Sequence, residues 1–131
     1  MTRDEVMAMT DEELWFEALM LARPELGIWR SLGIGHSEDG RAYIGPVGKP
    51  VEWQEDCDYP NGIAAAWPLL GKLYGRRGIA CIETYMTDGE CQVTLWTAMQ
   101  NTVVLRQWKE GDRPEQAITR AFIIAMEENH G

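Results

Sequence analysis

Histidine is nearly absent from this 131-residue chain, which has only His36 and His130. Nucleophilic catalysis needs a nucleophile, a base and an orienting group held together. His130 lies in the tail and His36 in a glycine-rich loop, and nothing in the spacing ties His36 to Cys57 as a base to a thiol. No catalytic residue is therefore expected, and the chain reads as a non-enzyme. Cysteine is scarce as well. Cys57, Cys81 and Cys91 are an odd number with no CxxC pair, which favours neither a disulfide framework nor a zinc knuckle and suits a reducing cytosol. No run approaches the roughly 18 apolar residues of a membrane helix. The opening Met-Thr-Arg-Asp-Glu is too acidic for a secretory leader, so a cytoplasmic protein without a membrane partner is expected.

Bases are also few. Twelve lysines and arginines face 21 acids, for a net charge of −9, and such a chain is repelled by the phosphates of duplex nucleic acid. Two further absences remove cofactor readings. Gly33-Ile34-Gly35 lacks the third glycine, the helix start and the lysine of a phosphate loop, and reads as a turn. The dense acids Glu52, Glu55, Asp56 and Asp58 lack the alternating oxygens, the glycine and the terminal glutamate of a calcium loop. No metal or cofactor is expected.

What is present is an ordinary globular composition, 45% apolar and 25% charged, long enough for one domain over residues 1–131 with a core of its own. Six tryptophans demand burial or a partner surface. Thr10-Asp11-Glu12-Glu13 is a capping box, and the helix it starts should run to about Ala22, because Arg23 precedes Pro24. Leu14, Ala18 and Leu21 share one face of it, flanked by Trp15 and Ala22. Residues 25–60 are broken by glycine and proline, with short strands expected around Arg41 to Ile44 and Val51 to Gln54. Asp58-Tyr59-Pro60-Asn61 opens a second helix, capped by Asp58 or Asn61. Its stripe is Ile63, Ala66, Trp67, Leu70, Leu73 and Tyr74, with Pro68 pointing outward and a kink expected there.

A hairpin over 79–86 and 91–99 turns at Asp88-Gly89. It opposes Met86 to Cys91, Thr84 to Val93, Ile82 to Leu95 and Ala80 to Thr97 on one side, with Cys81 against Trp96 on the other. Cys81 and Cys91 thus lie on opposite faces, out of reach of a mutual bond. A third strand is expected within 101–108, its alternation blurred by Val104. Asp112-Arg113-Pro114-Glu115 caps a closing helix with a wide apolar band from Ala117 to Ala125 and with Thr119, Arg120 and Glu127 in water. The fold class is α+β: a small antiparallel sheet, the hairpin plus one or two further strands, packed with three helices.

Two surfaces qualify as candidate sites. Trp53 stands among Glu52, Glu55, Asp56 and Asp58 with no base between residues 50 and 71, a setting suited to a basic protein partner, though Trp53 also fits an inward-facing strand position. Alternatively, His36 with Arg76 and Arg77 would seat a small molecule or nucleotide. Lys72, Arg76 and Arg77 complement the helix dipole, and they also match a small anion or an acidic region of a second copy. The hairpin edge is open to a second chain, so a homodimer is one expected state.

The segment Asn61-Gly62-Ile63-Ala64-Ala65-Ala66-Trp67-Pro68-Leu69-Leu70-Gly71-Lys72-Leu73 resembles the "IAAAW" helix of the phage αβα-sandwich family of small bacteriophage and prophage proteins. Pro114-Glu115-Gln116-Ala117-Ile118-Thr119-Arg120-Ala121-Phe122 resembles that family's final helix. Residues 25–57 and Pro68 depart from the pattern. The resemblance implies an αβα-sandwich-like arrangement and a phage or prophage accessory protein in the bacterial cytosol, but no catalytic residues. Its implied mode of action is binding to a host or phage protein with a basic surface, with a bacterial defence as one such target.

Overall fold

Two threonines open the chain's helical part in the same way. In the computed structural model, Thr2 caps α1 (Arg3–Ala8) and Thr10 caps α2 (Asp11–Ala22). The hydroxyl of each accepts the amide three residues on (Glu5 at 3.2 Å, Glu13 at 3.3 Å), and each glutamate accepts the threonine amide in return. Both helices also place acids at the positive end of the dipole. The backbone is described for residues 2–77, 79–87, 90–97, 102–109 and 111–128, and side-chain surroundings for residues 2–72, 109 and 111–127. α1 was not expected from periodicity: it has six residues and buries only Val6. α2 buries Leu14, Trp15, Ala18, Leu19, Met20 and Ala22. The arc is wider than one stripe, with Leu19 fully buried and Leu21 only half-buried. It ends at Arg23, whose φ of −131° and ψ of 77° lie outside helical geometry before Pro24.

Pro24–Leu32 then forms a 3-10 helix that buries Leu26. β1 (Gly35–His36), β2 (Ala42–Ile44) and β3 (Glu52–Trp53) follow as a small antiparallel sheet in that order. Gly35 lies under the Tyr43 ring, where a Cβ would come within 2.6 Å of the ring's Cζ. That close approach is what glycine permits at this position.

α3 (Ile63–Arg77) corrects two expectations. It starts after the Asp58–Asn61 turn, not within it. The side chains of Asp58 and Asn61 are engaged elsewhere: Asn61 Nδ2 donates to both Asp58 oxygens at 3.1 Å, Gln54 Nε2 also donates to Asp58, and Asn61 Oδ1 accepts from Arg113 Nη2 at 2.7 Å. The buried stripe is rotated as well: Ala66, Leu69 and Leu70 are inside, whereas Ile63 and Trp67 are exposed. The helix is apolar nearly all round, so spacing alone does not say which side is covered.

A second antiparallel sheet follows, ordered β4 (Ile79–Thr87), β5 (Glu90–Thr97) and β6 (Thr102–Trp108). Asp88, Gly89, Met99 and the end of the chain lie outside the described residues. Thr97 faces Ile79 rather than Ala80, because the register slips between Ile79 and Cys81. On the other side of β5, Trp96 pairs with Val103 and Leu95 with Leu105. Val104 is thus the extra residue of an irregularity, which is why it blurred the alternation.

α4 (Pro114–Glu128) buries every residue from Ala117 to Met126. It packs against α1, α2, α3, β5 and β6. Thr119 and Arg120 are therefore buried rather than wet, at 0% and 3% exposure. For Arg120 the physical reason is α1, which covers its side chain. Arg120 Nη1 donates to the carbonyls of Val6 (2.6 Å) and Met7 (3.3 Å), and Lys109 Nζ donates to Met7 O at 2.5 Å. Two cations thus donate to the carbonyls at the negative end of α1, where Val6 O also accepts the Met9 amide. Asp112 does not cap α4; its carboxylate accepts from Arg120 Nε at 2.9 Å, and Gln116 Oε1 takes the Arg113 amide instead. Thr119 donates its hydroxyl to Glu115 O, one turn back. Among the described residues the protein is thus α+β, four α-helices with two small three-stranded antiparallel sheets.

Candidate functional site

The site begins with the pairing of β2 and β3, which puts Tyr43 opposite Trp53. Their rings lie 5.4 Å apart at 57°, a tilted aromatic contact. Tyr43 is buried and Trp53 half-buried, so Trp53 is neither a plain core residue nor a bare surface ring. Its free side is taken by Arg41, whose guanidinium carbon sits 4.3 Å from the ring centroid, a cation–π arrangement.

Arg41 also carries two carboxylates. Its Nη1 reaches Glu55 Oε1 at 2.6 Å and its Nε reaches Asp39 Oδ2 at 2.9 Å. These bonds, Glu55 first, push the arginine pKa up. Asp39 is held below the usual carboxylate range, first by the Ser37 hydroxyl and then by Arg41. The other end of the acidic segment is neutralised in the same way: Arg23 Nη1 reaches Glu52. The acids that stand without a base in the sequence therefore receive two from elsewhere, Arg23 and Arg41. Asp58 is held in the turn before α3, and Asp56 is exposed.

Beneath this surface lies Cys57. Its sulfur accepts from Trp15 Nε1 at 3.3 Å, and its S–H faces Trp53 O at 3.8 Å. Burial pushes the thiol pKa up, opposed by the Trp15 bond, so the residue is a poor nucleophile. Burial likewise pushes the neighbouring Tyr59 phenol up to about 12.

The alternative ligand residues belong to β1 and α3. His36 Nε2 lies 2.9 and 3.0 Å from the two Glu12 oxygens, a surface pair joining β1 to the start of α2. Arg76 and Arg77 lie in the last turn of α3, and their side chains are outside the described surroundings. Trp53, Glu55, Asp56 and Asp58 do fall together on β3 and the 3-10 turn Gln54–Asp56 with the residues that follow it. Arg23 and Arg41 were missed because they are remote in sequence and no periodicity marks a long-range ion pair. Among the described residues, no helix is long and apolar enough to cross a membrane. No family model, curated protein or solved structure matches the chain.

Proposed function

We propose that the chain is a phage or prophage accessory protein, not an enzyme, that acts in the bacterial cytosol by binding a host or phage protein with a basic surface. The finer architecture, an αβα sandwich built around the 79–99 hairpin, belongs to the same proposal. One observation supports the binding mode. Arg41 lies on the Trp53 ring with its guanidinium held between Asp39 and Glu55, so this surface has the chemistry to take an arginine side chain. An arginine of a partner that displaces Arg41 would meet the same ring face and the same acids, with Asp56 exposed beside them.

The test is a titration of the protein with an arginine-rich peptide at about 150 mM salt, where charges interact over about 8 Å. The readout is tryptophan fluorescence. Binding should weaken at least tenfold in the Glu55→Lys/Asp56→Lys variant and should strengthen in Arg41→Ala, which clears the ring. Equal binding by all three proteins would end this reading.

A further inference from the structure

The outward side of α3 is unusual for a helix facing water. Ile63, Ala64, Trp67, Pro68, Gly71 and Lys72 are all exposed, and they form two neighbouring i, i+4 ridges, 63–67–71 and 64–68–72. Trp67 is 61% exposed and Ile63 46%, with Lys72 the single charge among the six. The inward side, Ala66, Leu69 and Leu70, is already buried, and α3 packs on α4. A helix apolar on both sides has a second face to cover.

We infer that this face is covered by the same face of a second copy of the chain, packed antiparallel about a two-fold axis passing between Trp67 and Pro68. The residues themselves favour that occupant. An axis there lays Trp67 on Pro68 of the second copy, an aromatic ring on an apolar one. It lays Ala64 on Gly71 of the second copy, small against small, which allows axes to approach to about 8 Å. It lays Ile63 along the methylene stem of Lys72 of the second copy, whose ammonium stays in water. All six exposed residues among the described ones of α3 are used, each once in every copy, as an isologous contact requires.

Charge selects the direction. Asp56 and Asp58, which are in none of the ion pairs described above, precede α3, while Lys72, Arg76 and Arg77 belong to its C-terminal half, with no acid between residues 59 and 82. Antiparallel packing brings the acidic end of one copy to the basic end of the other, twice. Parallel packing would set like against like. The apolar contact on α3 does not need the Trp53 ring, although the two surfaces share Asp56 and Asp58, and either can fail alone.

Sedimentation equilibrium of the whole chain, from micromolar to hundreds of micromolar at about 150 mM salt, decides it. The expected mass at the upper end is twice 14.9 kDa. Gly71→Gln supplies the variant that separates contact from fold: nothing lies within 4 Å of a Cβ built at Gly71, and the change replaces a helical glycine with a better helix former. It should raise the thermal midpoint of the monomer and shift dimerisation at least tenfold to higher concentration, as should Trp67→Glu. Ile28→Ser, at another exposed apolar residue (74%), should leave the dimer intact. A wild-type chain that stays monomeric overturns the inference. So does a dimer that survives both α3 substitutions, or one that Ile28→Ser dissolves.

Discussion

Replacing Asp112 with alanine strands a buried cation. Arg120 is 3% exposed and Asp112 6%, and the Nε–Oδ2 bond of 2.9 Å is the ionic contact that offsets the arginine's desolvation. Removing one partner of a buried pair costs about 3–5 kcal/mol, because the other charge is left in a poor solvent. At about 2.1 cal/mol/K per residue, 131 residues give an unfolding entropy of about 0.28 kcal/mol/K, so the melting midpoint should fall by about 11–18 °C. Far-UV circular dichroism with urea and heat measures both quantities. Asp112→Leu combined with Arg120→Met should recover much of the loss, since an apolar pair of similar volume is often neutral. Asp39→Ala, which removes an exposed partner of Arg41, should leave the midpoint nearly unchanged. An Asp112→Ala loss below about 1 kcal/mol would mean that Arg120 has water within reach, and the sealing of α4 by α1 would be wrong.

Two further outcomes follow from the small sheet and its surroundings. Gly35→Ala places a methyl 2.6 Å from Tyr43 Cζ, which should cost about 1–3 kcal/mol of overpacking and shift tryptophan emission as the Tyr43 ring moves against Trp53; unchanged stability and emission would contradict the Tyr43–Trp53 contact. Tyr59 is raised by burial to about 12, so its neutral form is favoured in the folded state. Its contribution is complete below the ordinary phenol pKa near 10 and is lost as pH rises toward 12. Tyr59→Phe should flatten the fall in urea midpoint over that alkaline window, and an equal fall in both proteins would refute the assignment.

Local chemistry was the legible part of this chain. The Thr10–Glu13 box and the Arg23–Pro24 stop each involve residues one turn apart or less, and both are read without knowing the fold. The same box at Thr2–Glu5 went unread because six residues with a single buried side chain carry no periodicity. Without α1, nothing in the spacing of α4 explains why Arg120 leaves water, and Asp112 is naturally taken for a cap. α3 failed for a different reason. With alanines, leucines, an isoleucine and a tryptophan on every side, its hydrophobic period does not tell the covered face from the open one. The acidic segment at Glu52 to Asp58 was legible as a cluster, but its arginines come from residues 23 and 41, and such pairing is a property of the folded chain.

The arrangement of α4 beneath α1, α2 and α3 carries most of this account, and amide hydrogen exchange followed by mass spectrometry tests it most directly. The segment from Ala117 to Met126 should exchange slowest of the described helices, through global unfolding alone, and Arg120→Met should speed α1 more than α4. Exchange in that segment as fast as in Pro24–Leu32 would contradict the buried placement of α4.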